Sequence, residues 1–209
     1  TPLHTLLTLI FSLVAGLLAI SLIFLFFDVN PLFALKKIFG GSFGSLYGFK
    51  ETVTKAIPLI LIGTGLALAF RAKFWNIGAE SQLLMGAILA TWVGLNWCPH
   101  LPAPVAVPLI FLAGFIGGAL WGVIPAFLKI RFAINEVIST LMLNYICAEL
   151  LTLLIVGPWQ GKTKYGFPYT DDLPASATLS LIPGSRIHYV TLILAILTAL
   201  VLGILIYWT

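Results

Sequence analysis

The chain has 209 residues, of which 60% are hydrophobic and only 9% are charged, and its formal net charge is +4. The apolar residues are collected in long blocks, which excludes an ordinary water-soluble domain and places the chain among membrane proteins. The eleven lysines and arginines are scattered through the polar connections without forming a basic stripe, so no nucleic-acid partner is expected.

Six apolar blocks have the length that a membrane crossing requires. A helix needs about 20 apolar residues to span the hydrocarbon core, and in lipid its backbone polar groups must be paired internally. We therefore predict an all-α polytopic membrane protein, a bundle of about six transmembrane helices. The predicted spans are Leu6–Phe27, Val53–Phe70, Gly78–Trp97, Val105–Leu128, Val137–Val156 and Tyr189–Tyr207.

The connection after the first span, Asp28–Lys50, is too polar and too rich in glycine to cross a membrane. Its aromatic side chains and its adjacent lysines, Lys36 and Lys37, are typical of an amphipathic segment at the membrane interface. We predict one short interfacial segment of this kind in addition to the spans.

Between the second and third spans, the stretch Arg71–Gln82 holds two cations, one carboxylate and two amides. Ionisable groups flanked by membrane-length apolar runs are unfavourable unless they face water, a pore or a partner. One interpretation is a broken or re-entrant region beside a polar pathway, with Gly78 at the break. The other is a tight cytoplasmic turn in which Asn76 caps the next helix and Glu80 lies in its first turn. The residues that the first interpretation assigns to the pathway are Asn76, Glu80 and Gln82.

The fourth predicted span carries a stripe of small residues. Gly114, Gly118 and Gly122 recur at four-residue spacing, which makes two overlapping GxxxG steps. Small residues on one face of a membrane helix allow a neighbouring helix to approach closely. We assign these three glycines to helix packing, although glycine is also common in membrane helices without such a role.

Polar residues near the start of the fifth span form a second cluster. Asn135 can cap this helix and Glu136 lies in its first turn, so both are assigned to a structural hinge. Asn144 lies nine residues after Asn135, deep enough to be buried, and a buried amide needs a partner. It either contacts the substrate or forms an interhelical hydrogen bond.

The cation distribution predicts the topology. Each of two short connections holds two cations, Arg71 with Lys73 and Lys129 with Arg131, whereas the other cations are diluted in long loops. Cations in short loops mark the cytoplasmic side. We therefore place both termini in the cytoplasm, residues 157–188 in an extracytoplasmic loop, and all of 1–209 in a single transmembrane domain.

Several runs of this sequence carry a resemblance to a known family. They are Glu51-Thr52, Ala56–Leu61, Ala67–Ala72, Phe74–Gln82, Asn135–Tyr145, and Asn30–Leu32 followed by Gly41–Ser45. With these runs the chain resembles the permease subunits of ABC importers for nucleosides and simple sugars, within the broader branched-chain amino acid/ribose permease family. A nucleoside would need aromatic stacking, so the resemblance adds Trp75 to the predicted pathway residues. The family usually has Phe where Trp75 stands and Gly where Ser81 stands, so the substrate choice is left open.

The resemblance implies a transport subunit, not an enzyme, in a bacterial or archaeal plasma (inner) membrane. Two permease subunits, identical or homologous, would form the pathway within the lipid bilayer. ATP-binding subunits would dock from the cytoplasm and bind ATP and Mg²⁺, and this chain itself would bind no cofactor. An extracytoplasmic substrate-binding protein or lipoprotein would deliver the solute.

The family pattern continues beyond Thr209 with a cytoplasmic segment that docks on the ATPase and with further spans. The resemblance therefore implies that this chain is the N-terminal part of a longer pattern, truncated at its C-terminus. On its own such a chain should not couple to ATP hydrolysis.

Other functions remain as alternatives. A branched-chain amino acid permease belongs to the same broad family, and an ion-coupled secondary transporter would need more intramembrane carboxylates than the sequence offers. An intramembrane enzyme using Glu80 or Glu136 would need a second catalytic group at the same depth, and none is evident. Cys98 and Cys147 are interpreted as small buried hydrophobes, and no metal site is predicted.

Overall fold

The computed structural model describes residues 2–163 and 165–208, and the α-helices within them account for all six predicted spans. In chain order the α-helices are α1 Pro2–Phe26, α2 Pro31–Phe43, α3 Leu46–Arg71, α4 Ala79–Asn96, α5 Ala103–Phe132, α6 Glu136–Val156 and α7 Tyr189–Trp208. Two short 3₁₀ helices cover Cys98–His100 and Ala175–Ala177. The prediction of an all-α polytopic membrane protein is confirmed.

Five helices are long and apolar enough to cross a membrane, namely α1, α3, α5, α6 and α7. The third predicted span, α4, is a helix of 18 residues and is not among these five. Glu80 and Gln82 lie near its start and Asn96 at its end, so the mean hydropathy over its 18 residues is below that of the five candidate spans. The helix is present where the sequence predicts it, but its polar ends set it apart from the five apolar spans.

The described residues up to Ala56, together with Ile182–Ile187, form one compact unit. Within it, the Asn30 side chain caps α2 by accepting a hydrogen bond from the backbone N–H of Phe33 at 3.1 Å. The predicted interfacial segment is this helix, which has no buried residue. Its position at a membrane surface stays a prediction.

Ile57–Leu181 and the residues from His188 to Trp208 form the second unit. Its α4 packs against α5, and a small apolar core lies where α4 ends and α5 begins. The buried members of that core are Val93, Cys98, Ala106 and Ala113. At the other end of the unit, the Arg71 guanidinium donates a hydrogen bond to the carbonyl of Ile206 in α7.

The break between α3 and α4 is present as a non-helical segment, 72–78, which both interpretations of this stretch predict. Lys73 adopts a positive φ of 55°, which ends the helical path of α3. The N-cap residue of α4 is Gly78, so the expectation that Asn76 caps this helix is wrong. Asn76 lies two residues too early, and its side chain instead bonds to the turn and to Gln82. Whether the segment re-enters the membrane stays a prediction.

The start of α6 agrees with the sequence. Asn135 caps this helix, since its Oδ1 accepts hydrogen bonds from the backbone N–H groups of Val137 at 2.9 Å and Ile138 at 3.4 Å. The preceding helix, α5, is followed by the left-handed C-cap residue Ala133, whose φ is 53°. The two helices are therefore joined by a three-residue turn, 133–135.

Candidate functional site

A cavity of about 790 Å³ lies between α3, α4 and α5 within the second unit. Its walls are glycine, alanine and branched or aromatic apolar side chains. In the described part of the chain, the polar side chains that line it are the amides of Asn76 and Gln82, and no ionisable side chain does so. The cavity is therefore an apolar chamber with one polar feature.

The two amides bond to each other. The Asn76 Nδ2 donates to Gln82 Oε1 at 3.1 Å, and the Gln82 Nε2 donates to Asn76 Oδ1 at 3.3 Å. The same Asn76 oxygen also accepts from the backbone N–H of Gly78 at 3.0 Å. A carboxamide has two N–H donors and two lone pairs, so among the described residues each amide keeps one N–H for another partner. Gln82 Oε1 keeps one lone pair as well.

Glycines of α5 make room for Gln82. A Cβ at Gly118 would lie 3.0 Å from the Gln82 carbonyl oxygen, and one at Gly122 would lie 3.2 Å from Gln82 Nε2. The third predicted packing glycine, Gly114, faces the carbonyl oxygen of Gly86 at 3.6 Å by the same measure. All three glycines thus lie against α4.

The closest backbone contacts between α4 and α5 involve two glycines that the sequence analysis does not single out. A Cβ at Gly117 would lie 2.8 Å from the Met85 carbonyl oxygen, and one at Gly86 would lie 2.8 Å from the Gly114 carbonyl oxygen. Both clashes involve backbone, which cannot rotate away. The available signal was the adjacent pair Gly117-Gly118, which widens the small-residue stripe, together with Gly86 four residues after Gln82.

A polar stripe on α6 holds the connection between α3 and α4. Thr140 is fully buried, and its Oγ1 accepts from the backbone N–H of Ile77 at 3.3 Å. Asn144 accepts from the backbone N–H of Ser81 at 3.1 Å and donates to the carbonyl of Ile77 at 3.1 Å. Both polar atoms of the Asn144 amide therefore bond to backbone atoms outside α6. This agrees with the second alternative given for Asn144, an interhelical hydrogen bond.

Gly78 allows this approach. A Cβ there would lie 2.9 Å from the Cβ of Thr140, so a larger residue would separate α6 from the connection. Ser81, which is 1% exposed, donates from its Oγ to the Gly78 carbonyl at 2.8 Å. Its own carbonyl accepts from the Cys147 thiol at 3.4 Å. In the sequence Ser81 is distinguished only as a departure from the family pattern, and Thr140 is not distinguished at all, because a lone hydroxyl in an apolar run carries no pattern.

An ion pair ties the start of α6 to the end of α5. Lys129 Nζ lies 2.6 Å from Glu136 Oε1 and donates to the Lys73 carbonyl at 2.9 Å. The same carboxylate oxygen accepts from the backbone N–H of Trp75 at 3.4 Å, and the ammonium lies 5.2 Å from the ring centroid of Phe74. Glu136 therefore joins both helices to the connection between α3 and α4.

Three predicted pathway residues do not line the cavity. Trp75 is exposed and contacts Phe70, with ring centroids 5.3 Å apart. Glu80 is exposed in the first turn of α4, and Asn144 faces the connection. A role of these residues in a pathway stays a prediction, as does the hinge role of Asn135. In residues 2–163 and 165–208, no group of three His, Cys, Asp or Glu is placed to hold a metal.

Residues 48–209 match the family model described as branched-chain amino acid transport system / permease component. The chain is 40% identical to the glucose ABC transporter permease protein TsgB13 of Haloferax volcanii, over 76% of this chain and 42% of that protein. It is 39% identical to the guanosine ABC transporter permease protein NupP of Bacillus subtilis, over 73% of this chain and 43% of that protein.

A third relative is the nucleoside ABC transporter permease protein NupB of Lactococcus lactis, which is 34% identical over 71% of this chain and 41% of its own length. The chain thus spans about two fifths of the curated relatives that it matches. No solved structure matches it. The family match covers most of the chain and includes the amide pair and the α6 stripe, so this chain belongs to the permease components of the branched-chain amino acid transport family.

Proposed function

We propose that this chain is a membrane-spanning permease subunit of an ATP-driven ABC importer and that the cavity is part of its translocation pathway for a nucleoside or simple sugar. The observation that carries this proposal is the chamber of about 790 Å³ with the Asn76 and Gln82 amides in its wall. Relatives named as glucose, guanosine and nucleoside permeases support the same solute classes.

The lining favours a neutral solute. No described residue in the cavity wall is ionisable, so a charged group entering it would lose hydration without gaining a counter-charge. A branched-chain amino acid carries both an ammonium and a carboxylate, whereas nucleosides and sugars carry hydroxyls and neutral ring atoms. The remaining N–H groups and lone pair of the amide pair are suited to hydroxyls and base edges.

The remaining parts of the proposal follow from the family. ATP-binding subunits with ATP and Mg²⁺ supply the energy from the cytoplasm, and a second permease subunit completes the pathway. A substrate-binding protein or lipoprotein delivers solute to the opposite side of the plasma membrane. The cations of the two short connections, Arg71 with Lys73 and Lys129 with Arg131, support the further proposal that both termini of this chain face the cytoplasm. Bound nucleotide and the loaded binding protein shift the equilibrium between two access states.

An ion-coupled secondary transporter is less well supported. Such proteins bind their coupling ion with carboxylates or exposed backbone carbonyls near the membrane centre. The carboxylates of Glu80 on α4 and Glu136 on α6 lie outside the lining of the cavity, and Glu136 is paired with Lys129.

The test compares two amides of the same helix in the complete transporter, expressed with its partner subunits. Gln82→Met keeps the approximate length of the side chain and removes its polar atoms, and we expect uptake of radiolabelled guanosine or glucose to fall about tenfold. Asn96→Leu is the matched control, because Asn96 is exposed and its amide donates only to the Trp92 carbonyl of the same helix.

Equal uptake by the two variants, at equal abundance in the membrane, would remove the cavity from the pathway. Uptake of leucine in place of guanosine and glucose would overturn the solute class. Uptake that persists without ATP but collapses with the ion gradient would favour the secondary transporter.

A further inference from the structure

We propose that Leu173–Leu179 forms a gate, here called the loop gate, over the end of the cavity farthest from the amide pair. This segment belongs to the connection between α6 and α7 and includes the 3₁₀ helix Ala175–Ala177. This inference rests on the proposed transport function, because it names the part of the cavity wall that opens to let the solute pass.

One face of α4 shows where the cavity ends. Gln82, Gly86 and Ala90 follow one another at four-residue spacing and all line the cavity. The next residue of this series, Gly94, is buried, and a Cβ there would lie 2.7 Å from Leu173 Cδ2 and 3.6 Å from Ile110 Cδ1. The Leu173 side chain therefore covers the helix face at the point where the cavity stops.

The loop gate also supplies part of the cavity wall. Ala177 and Leu179 line the chamber, and Ala177 packs against the apolar core that contains Cys98. The Ser176 hydroxyl donates to the Cys98 carbonyl at 2.7 Å, which fastens the segment to the turn between α4 and α5. At its other end the Leu179 carbonyl lies 3.1 Å from His188 Nδ1, immediately before α7.

These contacts allow the segment to move as a unit. Its internal hydrogen bonds are local, from the Ala177 N–H to the Pro174 carbonyl at 2.8 Å and from the Thr178 hydroxyl to the Ala175 carbonyl at 2.8 Å. Lifting the segment would leave these bonds and every transmembrane helix intact. It would break the Ser176–Cys98 hydrogen bond and separate apolar side chains from one another. A segment held by so few contacts has a low local stability.

Two native thiols report the opening. Cys98 and Cys147 are both fully buried, but Cys98 lies under the loop gate and Cys147 lies between α6 and α4. Burial also raises the pKa of the Cys98 thiol, so little reactive thiolate is present while the loop gate is closed. Opening of the loop gate exposes Cys98 and leaves Cys147 protected.

The first experiment measures the modification rate of each cysteine by N-ethylmaleimide in sheared membranes of the complete transporter, without ATP or solute. The double variant Leu173→Ala/Ser176→Ala should speed Cys98 modification about tenfold and leave Cys147 unchanged. Thr178→Ala is the matched control, because its hydroxyl bonds only within the segment, and both thiols should react at wild-type rates. An unchanged Cys98 rate in the double variant, or an equal gain for both cysteines, would overturn the proposal.

The second experiment joins Ser176→Cys to native Cys98 with a short bifunctional thiosulfonate and follows uptake of guanosine and glucose. Cross-linking should abolish uptake, and dithiothreitol should restore it. Full uptake by the cross-linked transporter would overturn the loop gate and leave the proposed function standing. If neither the wild type nor the uncross-linked variant takes up guanosine or glucose, the proposed function is wrong. The modification rates of the two cysteines then decide alone whether the loop gate opens.

Discussion

The two ends of the cavity are closed by different kinds of contact. At the amide end, the connection between α3 and α4 is bound to α6 through Thr140 and Asn144, whose side chains bond to backbone atoms of Ile77 and Ser81. At the loop end, Leu173 and Ala177 pack on glycine and alanine, and Ser176 donates to one backbone carbonyl.

This difference separates a rigid part of the site from a yielding part. Each hydrogen bond contributes about 1 kcal/mol, and breaking one at the amide end leaves a backbone group of a partly covered segment unsatisfied, at a cost of about 1–3 kcal/mol. The apolar contacts of a loop do not depend on the orientation of the two groups, as a hydrogen bond does, and they can re-form after a displacement. The amide end is therefore suited to hold Asn76 and Gln82 in position, and the loop end is suited to open.

The largest expected effect is at the amide end. Asn144→Leu removes the partners of the Ser81 N–H and the Ile77 carbonyl, so we expect a loss of about 2–4 kcal/mol of stability and a strong loss of uptake. Thermal unfolding of the purified protein in detergent measures the first effect, with Asn96→Leu as the control. If Asn144→Leu unfolds at the wild-type temperature, the hydrogen bonds to α6 do not make the amide end more rigid than the loop end.

The next largest effect is expected at the contact between α4 and α5. Gly117→Ala places a methyl group against the Met85 carbonyl and should destabilise the protein by about 1–3 kcal/mol, because α4 and α5 must move apart. Gly63→Ala is the matched control, since a Cβ there meets no atom within 4 Å. Unfolding temperatures of the two variants check the prediction, and equal values would contradict a close contact between the two helices.

The ion pair should matter less than the hydrogen bonds to α6. Lys129→Met leaves the Glu136 carboxylate with the Trp75 N–H as its remaining partner outside α6, and we expect a loss of stability smaller than that of Gly117→Ala, because the lysine side chain is 34% exposed. Arg131→Met removes the same charge from the same turn of α5 and serves as the control. The difference between the two should shrink in high salt, and a salt-independent difference would mean that charge is not its cause.

The smallest effect on global stability is expected at the loop end. Ser176→Ala should lower the free energy of unfolding by only about 0.5 kcal/mol, because the Cys98 carbonyl keeps the Leu101 N–H at 3.1 Å and is not left unsatisfied, although the change speeds modification of Cys98. Unfolding of this variant is compared with that of Thr178→Ala. A loss as large as that of Asn144→Leu would mean that both ends are equally rigid and would erase the contrast between them.

The sequence by itself determined the fold class and the positions of the helices. The predicted span Val137–Val156 differs from α6 by one residue, because a membrane-length apolar run has no alternative to a helix in lipid. Hydropathy failed where helices continue past their apolar part. The prediction for α3 began at Val53, whereas the helix begins at Leu46, since polar turns outside the hydrocarbon carry no hydropathy signal.

The candidate site was only partly visible in the sequence. The cluster of polar residues around Asn76, Glu80 and Gln82 stood out against its apolar flanks, but their spacing did not tell which side chains share a surface. The structure directs Asn76 and Gln82 into the cavity and leaves Glu80 outside it. That choice depends on the turn at 72–78, because Asn76 precedes the helix and follows none of its periodicity.

Only the tertiary structure decided what the buried polar groups and glycines do. Asn144 is 63 residues from Ser81, and Gly117 is 32 residues from Met85, so no local pattern connects them. The loop gate likewise joins Ser176 to Cys98 across 78 residues. Apolar length is a local property that the bilayer selects directly, whereas hydrogen-bond partners and close backbone contacts exist only once the helices have packed.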